Sequence, residues 1–522
     1  MLKKDKHLSD VEFISVMEMS AQSRILRGWE NIRRHEAAGM GRRHPRENDH
    51  SGFANTAIGA EGGILSRRAL NMDGNNGFAH QAKRVSANGI VGTGSRPSVR
   101  TKDKKLEKKI LQFWGDATHS AKIDHNGHEN LNGLAHQVHD AMFTTGDAII
   151  RRRRQRDGSF KLQVHEGDYL DMSMHGVTND SGGYTMHGID YDAQGQVTGY
   201  WLFDSLDDGV AWQTVNSRKI PAADVLHCYY ADRAGQRRGL PWLRSVYVAL
   251  MDLTRYMDAD LQRSIVAACH AVFVEGSSDN LGLPGAVVRE EFDRIQPGDV
   301  YYLNNGEKIT SNQPPVHNTF PEYVRSILRL IASGAGLTYE SISGDFSQVN
   351  FASAKMAANE MDRNFAEKRE RTMLKFYNGV WSWFMESLAL QGLVPMTVKE
   401  AVKIEADWTA PRRAMIDMVK ETEGLRLQVA AGLISWQEAV RMCGGDPDDV
   451  AEEQMTAIEI MGKIGFVPTW LVPTTELNEL AIEGEAKTTT ANAAKKQAEK
   501  AVAAANKAAK APKTPQNTAV PK

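Results

Sequence analysis

Apolar residues between positions 242 and 269 recur every three or four positions, the spacing of one helix face. The sequence therefore predicts a long helix over 242–269, with Pro241 suited to its start. At 1.5 Å per residue such a helix would span roughly 42 Å. Its apolar stripe consists of Leu243, Val246, Leu250, Leu253, Met257, Leu261 and Ile265. A single stripe on so long a helix must be buried against something, and we predict a neighbouring subunit as that partner.

Three further stretches carry helical patterns. Residues 321–336 predict a second, shorter helix, 354–390 a long one, and 411–462 several more after a connection marked by proline. The segment 343–353 breaks the pattern and is predicted to be a loop.

Between residues 144 and 228 the pattern changes to that of strands. Asp157-Gly158 separates two strand-like runs, which is typical of a hairpin, and a second hairpin is predicted around 192–195. Residues 151–154 are four arginines within the first strand, so only two of them can share a face. We interpret this run as an exposed edge strand protected by charge, not as a DNA site. Another strand-like run, 299–303, lies in the otherwise irregular segment 276–320, and the fold class is therefore α+β.

Composition narrows the class of protein. The 522 residues correspond to about three to four domains, and 41% hydrophobic residues suffice for real cores. The net charge of −2 excludes a generally basic nucleic-acid-binding coat. Three cysteines are too few for a disulfide framework and indicate a reducing compartment. We expect no membrane span and no secretory signal, since there is no apolar run of the required length.

Charge is unevenly distributed along the chain. Residues 1–100 carry 16 Lys and Arg against 10 Asp and Glu, and residues 485–522 carry eight Lys against two Glu, so the middle is acidic. The Arg-rich start could bind phosphate, but a solvated helix followed by a loose loop is the favoured interpretation. The Ala- and Lys-rich segment from about 485 has almost no large apolar residue and is predicted to be a mobile tail.

No pattern in the sequence predicts catalysis or a cofactor. The histidines between 119 and 139 lack an HExxH motif and paired cysteines, so we interpret them as structural. There is no Walker A motif, no GxSxG motif, and only a weak Gly-rich segment at 89–97. His227 and Cys228 are adjacent on a predicted strand and would face opposite ways. We therefore predict no catalytic residue, no metal site and no cofactor.

Four segments resemble the lambda family of phage portal proteins. They are IPAADVLHCYYADRAGQRRGLPWLRSV (220–246), RSILRLIASGAGLTYESISGDFSQVNFASAKMAANE (325–360), NGFAHQAKRVSANGIVGTG (76–94) and VAAGLISWQEAVRMCGGDPDDVAEEQ (429–454). The two central segments are long and specific. The resemblance extends from about 52 to 460 and leaves out the first 50 residues and the Ala/Lys tail.

The resemblance implies a portal fold with a β-rich wing, two helical stem segments, a clip insert and a helical crown. Its implied divisions are an N-terminal arm 1–51, wing 52–241, stem helix 242–269, clip 270–320, stem helix 321–342, tunnel loop 343–353, long wing helix and return 354–410, crown 411–484 and tail 485–522. It also implies a ring, typically of twelve subunits, at one vertex of an icosahedral head, assembled in the host cytoplasm. Double-stranded DNA would pass through its axis.

The implied partners are further copies of the chain, double-stranded DNA, the terminase large subunit, the major capsid and scaffold proteins, and head-completion or tail adaptor proteins. The tunnel loop would face the channel, which gives Asp345, Ser347, Gln348, Asn350 and Lys355 as candidate DNA contacts. The stripe residues of helix 242–269 are the candidate subunit interface. No membrane partner is expected. An acidic or mixed channel would let DNA slide, because each basic contact to phosphate adds affinity.

Two alternatives stay open at this point. One is a DNA-processing enzyme such as a packaging nuclease or motor subunit, against which the missing Walker A motif speaks. The other is a head–tail adaptor that binds only protein.

Overall fold

A computed structural model describes residues 54–101, 103–176, 182–203, 216–268, 272–275, 300–303, 320–411 and 417–463. The predicted N-terminal arm, most of the predicted clip and the Ala/Lys tail lie outside these residues. Two compact units can be distinguished. The first contains described residues within 54–91 and 114–402, and the second contains those within 92–113 and 403–463.

The described α-helices follow one another along the chain. They are α1 (Ala54–Asn75), α2 (Gly77–Ile90), α3 (Lys104–Thr118), α4 (Leu131–Thr144), α5 (Tyr247–Ala268), α6 (Phe320–Ala335), α7 (Tyr339–Ser343), α8 (Phe351–Lys368), α9 (Leu374–Leu390), α10 (Val398–Ala401), α11 (Met418–Ala430), α12 (Trp436–Met442) and α13 (Pro447–Lys463). A π-helical turn, Arg369–Met373, joins α8 to α9. The helical stretch predicted from 354 to 390 is thus confirmed, with one wider turn inside it.

The strands form four small sheets. They are β1 (Arg96–Val99), β2 (Asp147–Arg154), β3 (Phe160–Glu166), β4 (Tyr184–Met186), β5 (Ile189–Tyr191), β6 (Val197–Phe203), β7 (Ser217–Pro221), β8 (Val225–Tyr229), β9 (Val272–Glu275), β10 (Val300–Leu303) and β11 (Ala406–Thr409). The strand orders are β3-β2-β8, β4-β5-β6-β7, β10-β9 and β1-β11. Only β9 and β10 pair in parallel among these described strands. The α+β class is confirmed at this coarse level.

Both predicted hairpins are present, and the structure adds one that the sequence analysis missed. Gly158 adopts φ +83° in the turn between β2 and β3, and Asp192–Gly195 connects β5 to β6. The additional turn consists of His187 (φ +51°) and Gly188 (φ +78°), between β4 and β5. A two-residue turn with both φ values positive matches the twist of the flanking strands.

The prediction that the arginine run lies on an exposed edge strand is wrong. Strand β2 is the central strand of its sheet, because β8, which begins some 70 residues later, pairs with its second edge. Arg152 is only 6% exposed; its guanidinium pairs with Asp224 and Glu386 and lies 5.0 Å from the centre of the Trp383 ring. Arg154, on the same face, reaches the same two carboxylates. A partner so distant in sequence cannot be recognised from local alternation.

The core of the first unit lies around the β3-β2-β8 sheet. Helices α4 and α9 both pack on this sheet, and α9 contributes the fully buried Phe376 and Tyr377. On the other face of β2, Ile149 joins a cluster with residues of the four-stranded sheet, among them Leu170, Tyr200 and Leu202. Because successive side chains of β2 point to opposite faces, one face of the strand packs against helix and the other against the four-stranded sheet.

The second unit is smaller and mainly helical. Strands β1 and β11 pair antiparallel, and Lys104 and Lys108 of α3 form ion pairs with Asp448 and Glu452 of α13. Helices α11 and α12 bury none of their residues, and Leu433, between them, is 76% exposed. The helices predicted for 411–462 are confirmed for residues 418–463.

Candidate DNA-contact loop and subunit interface

Helices α5 and α6 pack against each other, and the contact extends along α5 to Tyr256, whose ring centre lies 4.3 Å from that of Tyr323 in α6. Leu250 and Leu253 of α5 are fully buried, and Ile331 of α6 is buried as well. A Cβ on Gly334 would lie 2.4 Å from Cγ1 of Val246, so glycine is required for the two segments to approach this closely. The chain enters α5 through a 3-10 turn, Trp242–Ser245, so the α-helix begins five residues later than predicted.

The predicted apolar stripe divides into two parts. Leu243, Val246, Leu250 and Leu253 are at most 2% exposed within the subunit, so they are not available to a second subunit. The other three, Met257, Leu261 and Ile265, are 39%, 58% and 47% exposed. Periodicity identifies an apolar face but not what covers it, and the interface prediction now concerns only these last three residues.

Two glycines in left-handed conformations lead from α6 to the predicted tunnel loop. Gly336 (φ +71°) ends α6, and the amide of Leu337 donates to the carbonyl of Ala332 over 2.9 Å, closing the helix end. Gly344 (φ +69°) ends the short α7, and its own amide donates to the carbonyl of Glu340 over 2.9 Å. Since α8 begins at Phe351, the connecting segment is residues 344–350, which we call the 344–350 loop.

Side-chain hydrogen bonds fix the shape of the 344–350 loop. The Asp345 carboxylate accepts from the Tyr339 hydroxyl and the Ser347 amide, each over 3.0 Å. Arg325 of α6 donates to Oε1 of Gln348 over 3.2 Å and lies 3.8 Å from Asp345. Hydrogen bonds from Ser347 hold the pKa of Asp345 below its ordinary value, with smaller contributions from Tyr339 and Arg325. Asp345 therefore stays ionised at neutral pH.

The five candidate DNA contacts differ in their surroundings. Arg325 contacts both Asp345 and Gln348, whereas Ser347 is exposed. Asn350 is the N-cap of α8, because its Oδ1 accepts from the Ser353 amide over 2.8 Å. Lys355 lies in the second turn of α8 and not in the loop. No observation on the structure tests contact with DNA, so that function stays a prediction.

The sequence analysis missed the apolar residues of this region. Phe346, Phe351 and Met356 are 66%, 54% and 74% exposed. Leaving large apolar side chains in water forgoes the free energy of burial, so each of them is available to a partner. Three large apolar residues in and beside a segment without helical periodicity were the available sequence signal.

The segment GQRRG (235–239) has a structural function in the first unit. Arg238 donates through Nε to Asp147 over 2.8 Å, and the Gly239 amide donates to the same carboxylate over 2.7 Å. Nε2 of His227 lies 2.9 Å from Oδ1 of Asp147, the oxygen that also accepts from the Gly239 amide. Burial would raise the pKa of Asp147, but Arg238 and His227 outweigh it and lower the pKa to about 2.

The histidines between 119 and 139 do not converge on one point. His139 is completely buried, within 3.1 Å of the Ser86 hydroxyl and 3.0 Å of Asp140, and burial lowers its pKa. Asp124 instead accepts from the amides of Asn126, His128 and Glu129 and so stabilises a turn. Across the described part of the chain, three or more His, Cys, Asp or Glu side chains nowhere form a group that could hold a metal ion.

Burial raises the pKa of the Cys228 thiol to about 12. The neighbouring His227 contacts Asp147 and not Cys228, as expected for adjacent residues of a strand. Among the helices described, none combines the length and the apolar character needed to cross a membrane.

Comparison with known proteins adds sequence relatives. Portal protein B of Escherichia phage lambda is 23% identical over 305 residues, which cover 51% of this chain and 57% of that protein. The portal protein of Escherichia phage N15 is 22% identical with the same coverage. The chain thus spans little more than half the length of these two relatives. The probable portal protein of Halomonas phage phiHAP-1 is 22% identical over 443 residues, 80% of this chain and 84% of that protein.

Among solved structures, a chain from the neck of the native gene transfer agent particle, computed with C12 symmetry, is similar with a TM-score of 0.41 and 14% identity. The match covers 74% of this chain and 94% of that chain. A family model described as phage portal protein, lambda family, matches residues 40–369. That range includes the GQRRG segment, helices α5 to α8 and the 344–350 loop. The chain therefore belongs to the lambda family of phage portal proteins.

Proposed function

We propose that the chain is the subunit of a homo-oligomeric ring, a dodecamer, at one capsid vertex through which double-stranded DNA is packaged and later ejected. The observation that carries this proposal is the match of 40–369 to the lambda portal family. The same match favours a structural protein over a DNA-processing enzyme. The ring belongs to the virion and would be assembled in the host cytoplasm.

The exposed part of the α5 stripe supports self-association. Met257, Leu261 and Ile265 succeed one another at intervals of four residues on a 22-residue helix, so they form one apolar row facing water in the isolated subunit. A ring of identical subunits would cover this row. In the family's terms, α5 and α6 would be the stem, the segment between them the clip, the mixed region before α5 together with α8 and α9 the wing, and α11 to α13 the crown.

The 344–350 loop supports DNA passage. Ser347 and Gln348 are exposed, polar and uncharged, and Asp345 is the one acidic side chain in the loop. Hydrogen bonds from such groups to phosphates fix no sequence, and their weakness permits sliding. Terminase, the capsid and scaffold proteins, and the head-completion or tail adaptor proteins would dock on other surfaces of the ring.

Negative-stain microscopy of the purified chain tests the proposal. We expect rings with a central hole wide enough for duplex DNA, and no ATPase or nuclease activity with Mg²⁺, Mn²⁺ or Zn²⁺. A protein that stays monomeric under all assembly conditions would contradict the ring. Metal-dependent nuclease activity that is lost in His128→Ala or His136→Ala would favour the packaging enzyme instead.

A further inference from the structure

A groove lies beside the 344–350 loop on the surface of the first unit. It has a volume of about 450 Å³ and is formed by the turn between α1 and α2, one side of α5 and the end of α7. Phe78, Met257 and Ile342 are its apolar lining residues, Asp258 is its one acidic lining residue, and the others are polar or glycine. We call it the α5 groove.

Hydrogen bonds between its walls hold the α5 groove open. The side-chain Nδ2 of Asn76 donates to the Thr254 hydroxyl over 3.0 Å. Its Oδ1 accepts from the backbone amides of Phe78 and Ala79 and so caps α2. On the other side, Gln81 donates to the Ser341 carbonyl over 3.1 Å. These bonds connect the α1–α2 turn to α5, and α2 to α7. The groove is therefore formed before any occupant arrives, which lowers the entropic cost of binding.

The same subunit carries apolar side chains that the groove does not receive. Gly344 lines the groove, yet Phe346, only two residues further on, is 66% exposed. Phe351 and Met356, in the first two turns of α8, are exposed as well. A subunit that carries a groove with apolar lining residues and, beside it, unburied apolar side chains can insert those side chains into the groove of a neighbour, and this head-to-tail contact closes into a ring when the rotation permits.

We propose that Phe346 of one subunit inserts into the α5 groove of the next, with Phe351 and Met356 packing beside it on the exposed row of α5. This inference rests on the ring proposed above and identifies the two surfaces that meet. Met257 belongs both to the groove and to that row, so the receiving surface is continuous from the groove to Ile265.

The area involved fits a second copy of the chain. Each of the three inserted residues would remove roughly 100–150 Å² of its own surface from water. Together they supply about half of the ~800 Å² that one partner contributes to a stable interface. The remainder would come from the polar residues around them.

Photo-crosslinking with isotope-labelled subunits tests this contact. The photoreactive amino acid p-benzoylphenylalanine replaces Phe346, and rings are assembled from an equal mixture of ¹⁵N-labelled and unlabelled chains. Mass spectrometry after irradiation should find position 346 joined to peptides containing residues 75–81 or 254–258, with mixed labelled–unlabelled pairs among them. Crosslinks only within one chain, or only to other segments of the neighbour, would overturn the inference while leaving the ring proposal intact. Absence of rings before irradiation would instead overturn the ring proposal.

Substitutions give a second readout. Phe346→Ser should raise the concentration at which rings dissociate by roughly tenfold or more, whereas Phe346→Leu should restore most of the wild-type value. Leu390→Ser, at a position 55% exposed at the end of α9, is the matched control and should leave dissociation unchanged. Equal dissociation of all three variants and the wild type, measured by analytical ultracentrifugation, would contradict the insertion of Phe346.

Discussion

Gly146 and Gly239 approach each other backbone to backbone, so that a Cβ on Gly239 would lie 1.9 Å from the carbonyl oxygen of Gly146. Each glycine has a neighbour in the buried ion pair between Asp147 and Arg238. The absence of two Cβ atoms thus allows a short turn before α5 to reach the centre of the β3-β2-β8 sheet. The last glycine of the GQRRG segment is required by packing.

We expect Gly239→Ala to destabilise the first unit strongly. The added methyl group would force the backbone at Gly146 to move, and Gly146 itself has φ +91°. Overpacking of this kind costs typically 1–3 kcal/mol, and more where backbone must shift. Chemical denaturation followed by circular dichroism measures the effect. Gly63→Ala, in α1 with no atom within 4 Å of the added Cβ, is the control and should be neutral or slightly stabilising.

The ion pair itself gives a second prediction. Asp147→Asn would leave the Arg238 guanidinium in a buried site without its carboxylate, at a cost of about 3–5 kcal/mol in the free energy of unfolding. Asp252→Asn should change stability by less than about 1 kcal/mol, because Asp252 is 55% exposed and lies 4.0 Å from Arg255. Similar destabilisation by both variants would show that the buried pair contributes no more to stability than an exposed one.

The same pair predicts how stability responds to strong acid. The folded pKa of Asp147 is about 2, below the ordinary 3.8, so its contribution is complete above pH 3.8 and is lost as the pH falls toward 2. The difference in unfolding free energy between wild type and Asp147→Asn should therefore shrink over that range. A difference that is constant from pH 5 to pH 2 would contradict the assignment.

His165 predicts a separate loss of stability at mildly acidic pH. Burial, with repulsion from Arg151 and Arg153, lowers its pKa to about 4. The unfolded chain then binds a proton more readily than the folded chain between pH 6.5 and 4. The contribution of His165 to the free energy of unfolding is therefore complete above pH 6.5, and it falls by roughly 3 kcal/mol as the pH drops to 4.

His165→Phe should remove this part of the pH dependence while keeping a ring beside Tyr169, whose centre lies 4.3 Å away. Some slope should persist, since the buried His139 and His227 also have lowered pKa values. Thermal melts at half-unit pH intervals provide the comparison.

How much the sequence predicted depends on whether a feature is local. The helices at 321–336 and 354–390 and the Asp157-Gly158 hairpin follow from periodicity and turn chemistry within a few residues. The central position of β2 depends on pairing with β8, and the close packing at Val246 depends on Gly334 of α6, 88 residues later. At the 344–350 loop, composition indicated polar contacts, but that Asn350 caps a helix became evident only from its bond to Ser353.

The two parts of the α5 stripe should respond differently to charge. Leu250→Asp places a carboxylate in a fully buried site and should unfold the subunit. Leu261→Asp, at a position 58% exposed, should leave the monomer folded and prevent assembly. Val248→Asp, on a different side of the same helix and 68% exposed, is the control. Circular dichroism reports folding and analytical ultracentrifugation reports assembly; intact rings from Leu261→Asp would exclude this row from the interface.

The 344–350 loop provides the test of DNA contact. Replacing Asn350 is unsuitable, because loss of the N-cap alone costs about 1 kcal/mol of helix stability. Ser347 is exposed, so Ser347→Lys adds one positive charge per subunit without disturbing α8. If the loop faces DNA, each lysine can neutralise a phosphate and make binding more dependent on salt.

We therefore expect Ser347→Lys rings to assemble normally but to translocate DNA more slowly, with the rate recovering as the salt concentration rises. Ser347→Asn keeps a polar, uncharged side chain and should package DNA like the wild type. In vitro packaging rates at several salt concentrations distinguish the variants. If the lysine variant packages at the wild-type rate throughout, the loop does not touch DNA. Its hydrogen bonds to Tyr339 and Arg325 would then serve only to connect α7 to α8.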